Sequence, residues 1–192
     1  ASDVYKRQLL VLLLAGLLAG CGGGSRPTGI RAAETPADDV AEYQPRWRSH
    51  TVDSTQYRKV FLAGTIDMGR SADWQAALVA RFRDSIGGRW LFFNPRRREF
   101  HASPAEMEYQ VAWELAHLEA ADLIVMNLLG DSRSPISLLE MGLYARSGKL
   151  FVACSPDYYR YDNVRITCRR YGVPLYDSLT ALLDDLPQQS DE

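Results

Sequence analysis

The sequence predicts a doubly wound α/β domain, an open sheet of about five parallel strands with helices on both faces. Three observations carry this. Short runs that are apolar throughout, rather than alternating, recur at Lys59–Ala63, Trp90–Phe93, Asp122–Asn127, Lys149–Cys154 and Val173–Tyr176. Continuous apolar runs of that length suit strands buried on both faces. Segments with apolar residues at helical spacing separate them, and Gly64 and Asn94-Pro95 punctuate the junctions.

The elements follow in order. Trp74, Leu78, Phe82 and Ile86 mark a helix over 72–86, and Met107, Val111, Leu115 and Leu118 mark one over 105–120 with those residues toward the core. Ser134 is suited to cap a third helix, with Pro135 at its first position, where a missing N–H costs nothing. That helix runs to about Ser147, with Ile136, Leu139 and Leu143 on the face expected to be buried and Glu140 on the same face. Helices over 163–171 and 177–186 complete the domain, which spans 58–187 and leaves 188–192 as a tail.

Composition removes several classes of function. A net charge of −2 over 192 residues gives no global basic signal for a nucleic-acid polymer. His50, His101 and His117 are isolated, and there is no Cys-x-x-Cys or His-x-x-x-His pair, so no metal is expected. No Gly-x-Gly-x-x-Gly follows the first strand and no Walker loop is present, so no cofactor is expected.

The N-terminal region has its own logic. Residues 9–18 form a ten-residue apolar run, too short to span a bilayer and suited to the core of a signal peptide. The run ends in Leu18-Ala19-Gly20-Cys21, which resembles a bacterial lipobox. The resemblance implies that residues 1–20 are a signal peptide, that Cys21 is lipidated, and that the protein is anchored in the bacterial cell envelope, on the periplasmic side of the outer membrane. Asp3–Gln8 resembles a translated sequencing-library adapter. Residues 21–57, rich in Gly, Pro and charge without apolar period, are expected to be a disordered tether.

A parallel sheet binds ligands at the carboxyl ends of its strands. There the sequence places Gly64, Thr65, Ile66 and Asp67, then Asn94 with Arg96, then Asn127, and the loop carrying Ser134 opens beside them. Glu140 admits two readings. It is a buried carboxylate satisfied by backbone donors or an Arg, or a catalytic carboxylate beside the start of a helix. Glu114 shares a stripe with core residues and is open in the same way, with Arg96 or Arg97 as its structural partner. Trp113 suits a stacked base or a place in the core. Cys154 and Cys168 are placed where a disulfide is permitted but not required.

Six motifs then fall in order: Phe61-Leu-Ala-Gly-Thr-Ile-Asp-Met-Gly69 with Asp73-Trp74, Asn94-Pro-Arg-Arg97, Gln110 with Trp113-Glu114, Ala121-Asp122, Ser134-Pro-Ile-Ser-Leu-Leu-Glu-Met-Gly142, and Asn163-Val164. Together they resemble the nucleoside 2-deoxyribosyltransferase-like family over roughly residues 58–177. The resemblance implies a flavodoxin-like (Rossmann-like) sheet and chemistry at the N-glycosidic bond of a 2-deoxynucleoside. Glu140 would be the nucleophile that forms a glycosyl-enzyme, with Asn163 among the substrate-binding residues; Asp122 would help to hold the base or the nucleophile, or is a solvated residue at the start of its strand. Glu114, in its functional reading, orients the sugar or gives a proton to the leaving base. A nucleobase acceptor gives transfer and water gives hydrolysis. The family's transferases carry an Asp where this chain has Ser134, and often a Tyr where it has Phe61. Gly64-Thr-Ile-Asp-Met-Gly-Arg70 resembles instead the loop of deoxynucleoside 5′-monophosphate N-glycosidases, which implies a phosphate held by Arg70 and Ser134. The partner is thus a small-molecule nucleoside or nucleotide. A non-catalytic nucleoside-binding lipoprotein of the same fold is the alternative. Apolar residues all round the Pro135–Ser147 helix predict a homodimer or higher homo-oligomer through it.

Overall fold

The computed structural model describes residues 39–186 other than 86, 87, 98, 100 and 102. The expectations of a signal peptide, of lipidation at Cys21 and of the C-terminal tail lie outside the described residues. Seven strands form one sheet: β1 (Val40–Gln44), β2 (Trp47–Arg48), β3 (Arg58–Gly64), β4 (Trp90–Phe93), β5 (Leu123–Leu128), β6 (Leu150–Cys154) and β7 (Leu175–Tyr176). The order is β2-β1-β4-β3-β5-β6-β7, parallel throughout except that β2 runs antiparallel to β1. The helices are α1 (Trp74–Ser85), α2 (Pro104–Ala120), α3 (Pro135–Tyr144), α4 (Tyr161–Tyr171) and α5 (Leu179–Asp185).

Alternation along the central strands divides the core. Val60 and Leu62 of β3 pack with Trp74, Leu78 and Phe82 of α1 and with Leu182 and Leu183 of α5. Phe61 and Ala63 face the other way, toward Leu118 of α2, Met141 of α3, and Val164 and Cys168 of α4. Cys154 and Cys168 are both buried and carry free thiols. Lys149 closes the end of α2 by donating from Nζ to the carbonyls of Leu118, Glu119 and Ala121 at 2.7, 3.0 and 3.1 Å, which satisfies acceptors that a helix end leaves open.

Three expectations are corrected. The tether does not extend to residue 57. Val40, Ala41 and Tyr43 are buried, and β1 pairs with β4, adding a sixth parallel strand and, with β2, a hairpin at the sheet edge. A five-residue strand next to the sheet edge draws its burial from its neighbours, so its own periodicity is too short to register. Next, α3 presents the other face inward. Ser137, Glu140 and Met141 are buried, while Ile136, Leu139 and Leu143 are 59%, 62% and 58% exposed. Likewise α2 buries Leu118 but leaves Met107, Val111 and Leu115 exposed and turns Gln110, Trp113 and Glu114 inward.

The chain leaves β3 for α1 and β4 on one side, and leaves β5 for α3 and β6 on the other. The carboxyl ends of β3 and β5 therefore flank a switch point, where such sheets open a crevice.

Candidate active site at the β3–β5 switch point

The crevice is a cleft of about 350 Å³ lined by the ends of β3, α2 and α3. Gly64 forms its inner corner. Its φ is +125°, and a Cβ there would lie 2.2 Å from the carbonyl oxygen of Asn127 on β5, so only glycine lets the two strand ends meet. Thr65 N–H then donates to that carbonyl at 2.9 Å, and Trp74 Nε1 donates to Thr65 O at 2.8 Å.

The loop that follows is held in an uncommon shape. Asp67 and Met68 have φ of 48° and 54° and Gly69 of 82°, a left-handed run that non-glycine residues adopt only when the surroundings compel it. Arg96 supplies much of that compulsion. Its guanidinium donates to Gly69 O (3.1 Å), Ser71 O (2.7 Å) and Ala72 O (3.2 Å), and its side chain is only 12% exposed. Arg96 was expected to bind substrate; its donors are instead spent on loop carbonyls. Asn94 is likewise structural, donating to Glu42 Oε1 at 2.7 Å and accepting from Arg96 N–H at 2.9 Å.

Beneath the cleft wall runs a chain of buried hydroxyls. Thr65 Oγ1 and Ser134 Oγ are 2.8 Å apart, Ser134 Oγ and Ser132 Oγ 2.8 Å, and Ser132 Oγ donates to Asp67 Oδ1 at 2.9 Å. Leu129 N–H donates to Thr65 Oγ1 at 3.1 Å. Ser134 stands at the start of α3 as expected, but in the left-handed region (φ 39°) and without a side-chain capping bond. Its hydroxyl belongs to this chain instead. Tyr158 OH fixes the same loop by donating to Arg133 O at 2.7 Å.

Of the three carboxyl side chains in the cleft lining, two, Glu140 and Glu114, are raised by burial. Glu140 is 8% exposed, and among the described residues no donor reaches it. Burial, with the negative charge of Glu114 added, pushes its pKa up to about 8. Glu114 is also raised, by burial, although Gln110 Nε2 donates to it at 2.8 Å and favours its charged form. The salt bridge considered for Glu114 does not form, because Arg97 pairs with Glu106 at 2.6 Å. Two interacting buried carboxyls hold protons as a pair, so one ionises while the other stays an acid. One carboxylate and one carboxylic acid facing the same small cleft can attack an electrophilic carbon and protonate its leaving group.

Of the expected site residues, the cleft gathers Gly64, Ile66, Asp67, Glu114, Ser134 and Glu140, with Thr65 buried behind them. The others lie elsewhere. Asp122 sits at the opposite, amino end of the strands, accepting from Lys59 N–H at 2.8 Å, so it has no place in chemistry at this cleft. Arg70 is exposed and donates to Asp67 O at 3.2 Å. Trp113 stacks on His117 with ring centroids 3.9 Å apart and packs beside Phe61. Asn127 is buried at the end of β5, outside the lining. Asn163 lies in a separate groove between α3 and α4, with Leu138, Met141 and Arg160. Residues not singled out from sequence are Gln110, which carries Glu114, and Ser132, which links Ser134 to Asp67. Gln110 stood in a motif beside Glu114, whereas Ser132 is a loop serine with no spacing to mark it.

A family model described as "Nucleoside 2-deoxyribosyltransferase like" matches residues 57–158. A crystal structure of a conserved protein from Enterococcus faecalis V583 superposes with a TM-score of 0.51 at 15% identity, covering 69% of this chain and 99% of that one. At that identity the likeness concerns the fold. No curated protein matches the chain.

Proposed function

We propose, starting from a chain that belongs to the nucleoside 2-deoxyribosyltransferase-like family, that it cleaves the N-glycosidic bond of a 2-deoxynucleoside through a covalent glycosyl-enzyme on Glu140. The family concerns glycosyl transfer at nucleosides, and the reading for this chain goes one step further. The pair shares one proton, which burial holds chiefly on Glu140 in the free site; with that proton passed to Glu114, ionised Glu140 attacks the anomeric carbon as the bond to the base breaks. Glu114 in its acid form gives its proton to the departing base. Water or a second base then attacks the same carbon, Glu140 leaves, and the proton returns to Glu114 or passes to the product. The observation that carries this is the state of Glu140, a buried carboxyl turned into a cleft beside a second carboxyl, with no hydrogen-bond partner among the described residues. A structural carboxylate at that depth would be bonded, since an unpaired one is costly.

The test is release of free base from 2′-deoxynucleosides, comparing wild type with Glu140→Ala. Release by wild type that falls by about a thousandfold or more in the variant supports the reading, the scale on which removing a covalent nucleophile acts. Nucleoside binding with no release by wild type would establish the alternative, a nucleoside-binding protein that has kept the fold.

The remaining elements of the reading concern context. Residues 9–21 support a lipid anchor on Cys21 and a place in the bacterial cell envelope, with the segment before β1 as the tether. Met107, Val111 and Ile136 form an exposed apolar surface at the cleft mouth, and Leu139 and Leu143 of α3 are exposed as well, which supports a homodimer or higher homo-oligomer through α2 and α3. Sedimentation at micromolar concentration tests this, and a monomer would contradict it.

A further inference from the structure

The parallel strands point their carboxyl ends at the cleft, and the helices between them return the chain to the opposite end of the sheet. β1 also begins at that opposite end, at Val40, so the chain that leads back to Cys21 joins the domain there. One corner of this end is built from the last residues of two helices. Arg146 lies in the turn from α3 to β6, and Arg169, Arg170 and Tyr171 close α4. All four are exposed. Arg146 Nη2 donates to Tyr171 OH at 3.3 Å, and its guanidinium stands 4.9 Å from the centre of that ring. The Tyr171 hydroxyl is held below its ordinary pKa, first by the hydrogen bond and charge of Arg146 and then by the charge of Arg170, so two guanidiniums act on one oxygen.

Like charges gathered this closely repel unless an anion joins them. Among the described residues no carboxylate pairs with Arg146, Arg169 or Arg170. Carboxylates elsewhere at this end have other partners. Asp122 pairs with Lys59 at 3.7 Å and Asp184 with Arg81 at 2.6 Å, and Glu119 acts on Lys149 and Tyr144. Arg165, one turn back on α4, is already paired with Asp162 at 2.9 Å. The cleft lining has the opposite sign, since Asp67, Glu114 and Glu140 are its only ionisable side chains among the described residues.

We infer that the corner of Arg146, Arg169, Arg170 and Tyr171 seats on the phosphates of an anionic lipid bilayer, which turns the cleft away from the membrane toward water-soluble substrate. This rests on the lipid anchor at Cys21 in the proposed function and gives the anchored domain a face. Guanidinium groups match phosphate oxygens in pairs, and a tyrosine suits the headgroup level, with an apolar ring and a polar tip. Cys21 precedes Asp39 by eighteen residues, a span of at most about 65 Å. Contact with the bilayer is then intramolecular, so three arginines at roughly fivefold each suffice to orient the domain.

The test uses the chain from Cys21 onward, which contains every described residue, coupled through the Cys21 thiol to a maleimide lipid. Cys154 and Cys168 are buried and do not compete. The protein is carried on vesicles of phosphatidylcholine alone or of phosphatidylcholine with phosphatidylglycerol, and exposed arginines are labelled with phenylglyoxal and mapped by mass spectrometry. On the anionic vesicles Arg146, Arg169 and Arg170 label at least about fivefold more slowly than on the neutral ones, while Arg70 and Arg133 at the cleft end label equally on both. Molar salt, which shortens the screening length to about 3 Å, removes the protection. Equal labelling on the two vesicles, or protection of Arg70 and Arg133 instead, overturns the inference. Inorganic phosphate that protects the three arginines equally well on neutral vesicles assigns the corner to free phosphate and overturns the membrane face. The anchor is read separately, from the mass of the Cys21 peptide in protein taken from cells. An unmodified Cys21 overturns the anchored reading, whereas equal labelling on both vesicles overturns only the face.

Discussion

Replacing Glu140 by Gln should make the protein more stable, and by an amount that depends on pH in one direction only. The carboxyl has its pKa pushed from 4.5 to about 8, first by burial and then by Glu114. The folded state thus binds the proton more tightly than the unfolded chain does. Between pH 4.5 and about 8 the folded protein keeps a proton that the unfolded chain has released. Stability from this group is therefore fully present below pH 4.5, is lost as pH rises to about 8, and changes no further above that. At roughly 1.4 kcal/mol per pH unit, the full span is worth about 5 kcal/mol, an upper figure because the site relaxes when charged. Glutamine has the shape of the protonated acid and no proton to lose. The two proteins should be within about 1 kcal/mol of each other at pH 5, with the variant ahead by about 2 kcal/mol or more at pH 9. Urea unfolding at a series of pH values measures the difference, and titrations common to both chains cancel. A constant difference across the series, or a variant less stable at pH 9, would refute the account of Glu140 as a carboxyl held against its charge.

Other perturbations bear on the same cleft. Gly64→Ala should prevent folding or cost about 4 kcal/mol or more, because its Cβ meets backbone rather than a movable side chain; soluble variant of wild-type stability would contradict the close approach of β3 and β5. Arg96→Ala should free the loop that Arg96 holds by its carbonyls, so that trypsin cuts after Arg70 at least about tenfold faster than in wild type, as expected of a locally opened segment; unchanged cleavage would assign the loop's shape to other contacts. Glu114→Gln removes the charge that raises Glu140, so the rising limb of kcat/KM with pH should move to lower pH whatever happens to its height. A limb that stays in place would mean that Glu114 does not act on Glu140.

Much of this site was legible before the fold was known, and the losses have particular causes. The five central strands are long apolar runs, and the motifs at their carboxyl ends fall where a doubly wound sheet must open. Glu140 stood out because a carboxylate amid leucines has to be used or partnered. The helix faces were misread for the reason that made α3 conspicuous. It carries two apolar stripes, Ile136 with Leu139 and Leu143, and Leu138 with Met141 and Tyr144. Spacing cannot rank two equal stripes, and packing on β3 and β5 chose the second. In α2 the polar residues Gln110 and Glu114 took the inward side because the cleft lies there, and the apolar Met107, Val111 and Leu115 were left outside. Arg96 read as a substrate-binding residue because its partners are main-chain carbonyls, which no side-chain pattern announces. Ser132 left no trace, since a hydroxyl relay depends on three oxygens meeting across loops far apart in sequence.

The central claim is a covalent bond between Glu140 and the sugar. Mixing the protein with a 2′-deoxynucleoside, quenching in acid within the first turnovers, and mapping the digest by mass spectrometry reads that bond directly. The account predicts a deoxyribosyl adduct on the peptide carrying Glu140, formed by wild type and absent from Glu140→Ala. Base release that proceeds at an undiminished rate in Glu140→Ala, or an adduct carried by another residue, would contradict it.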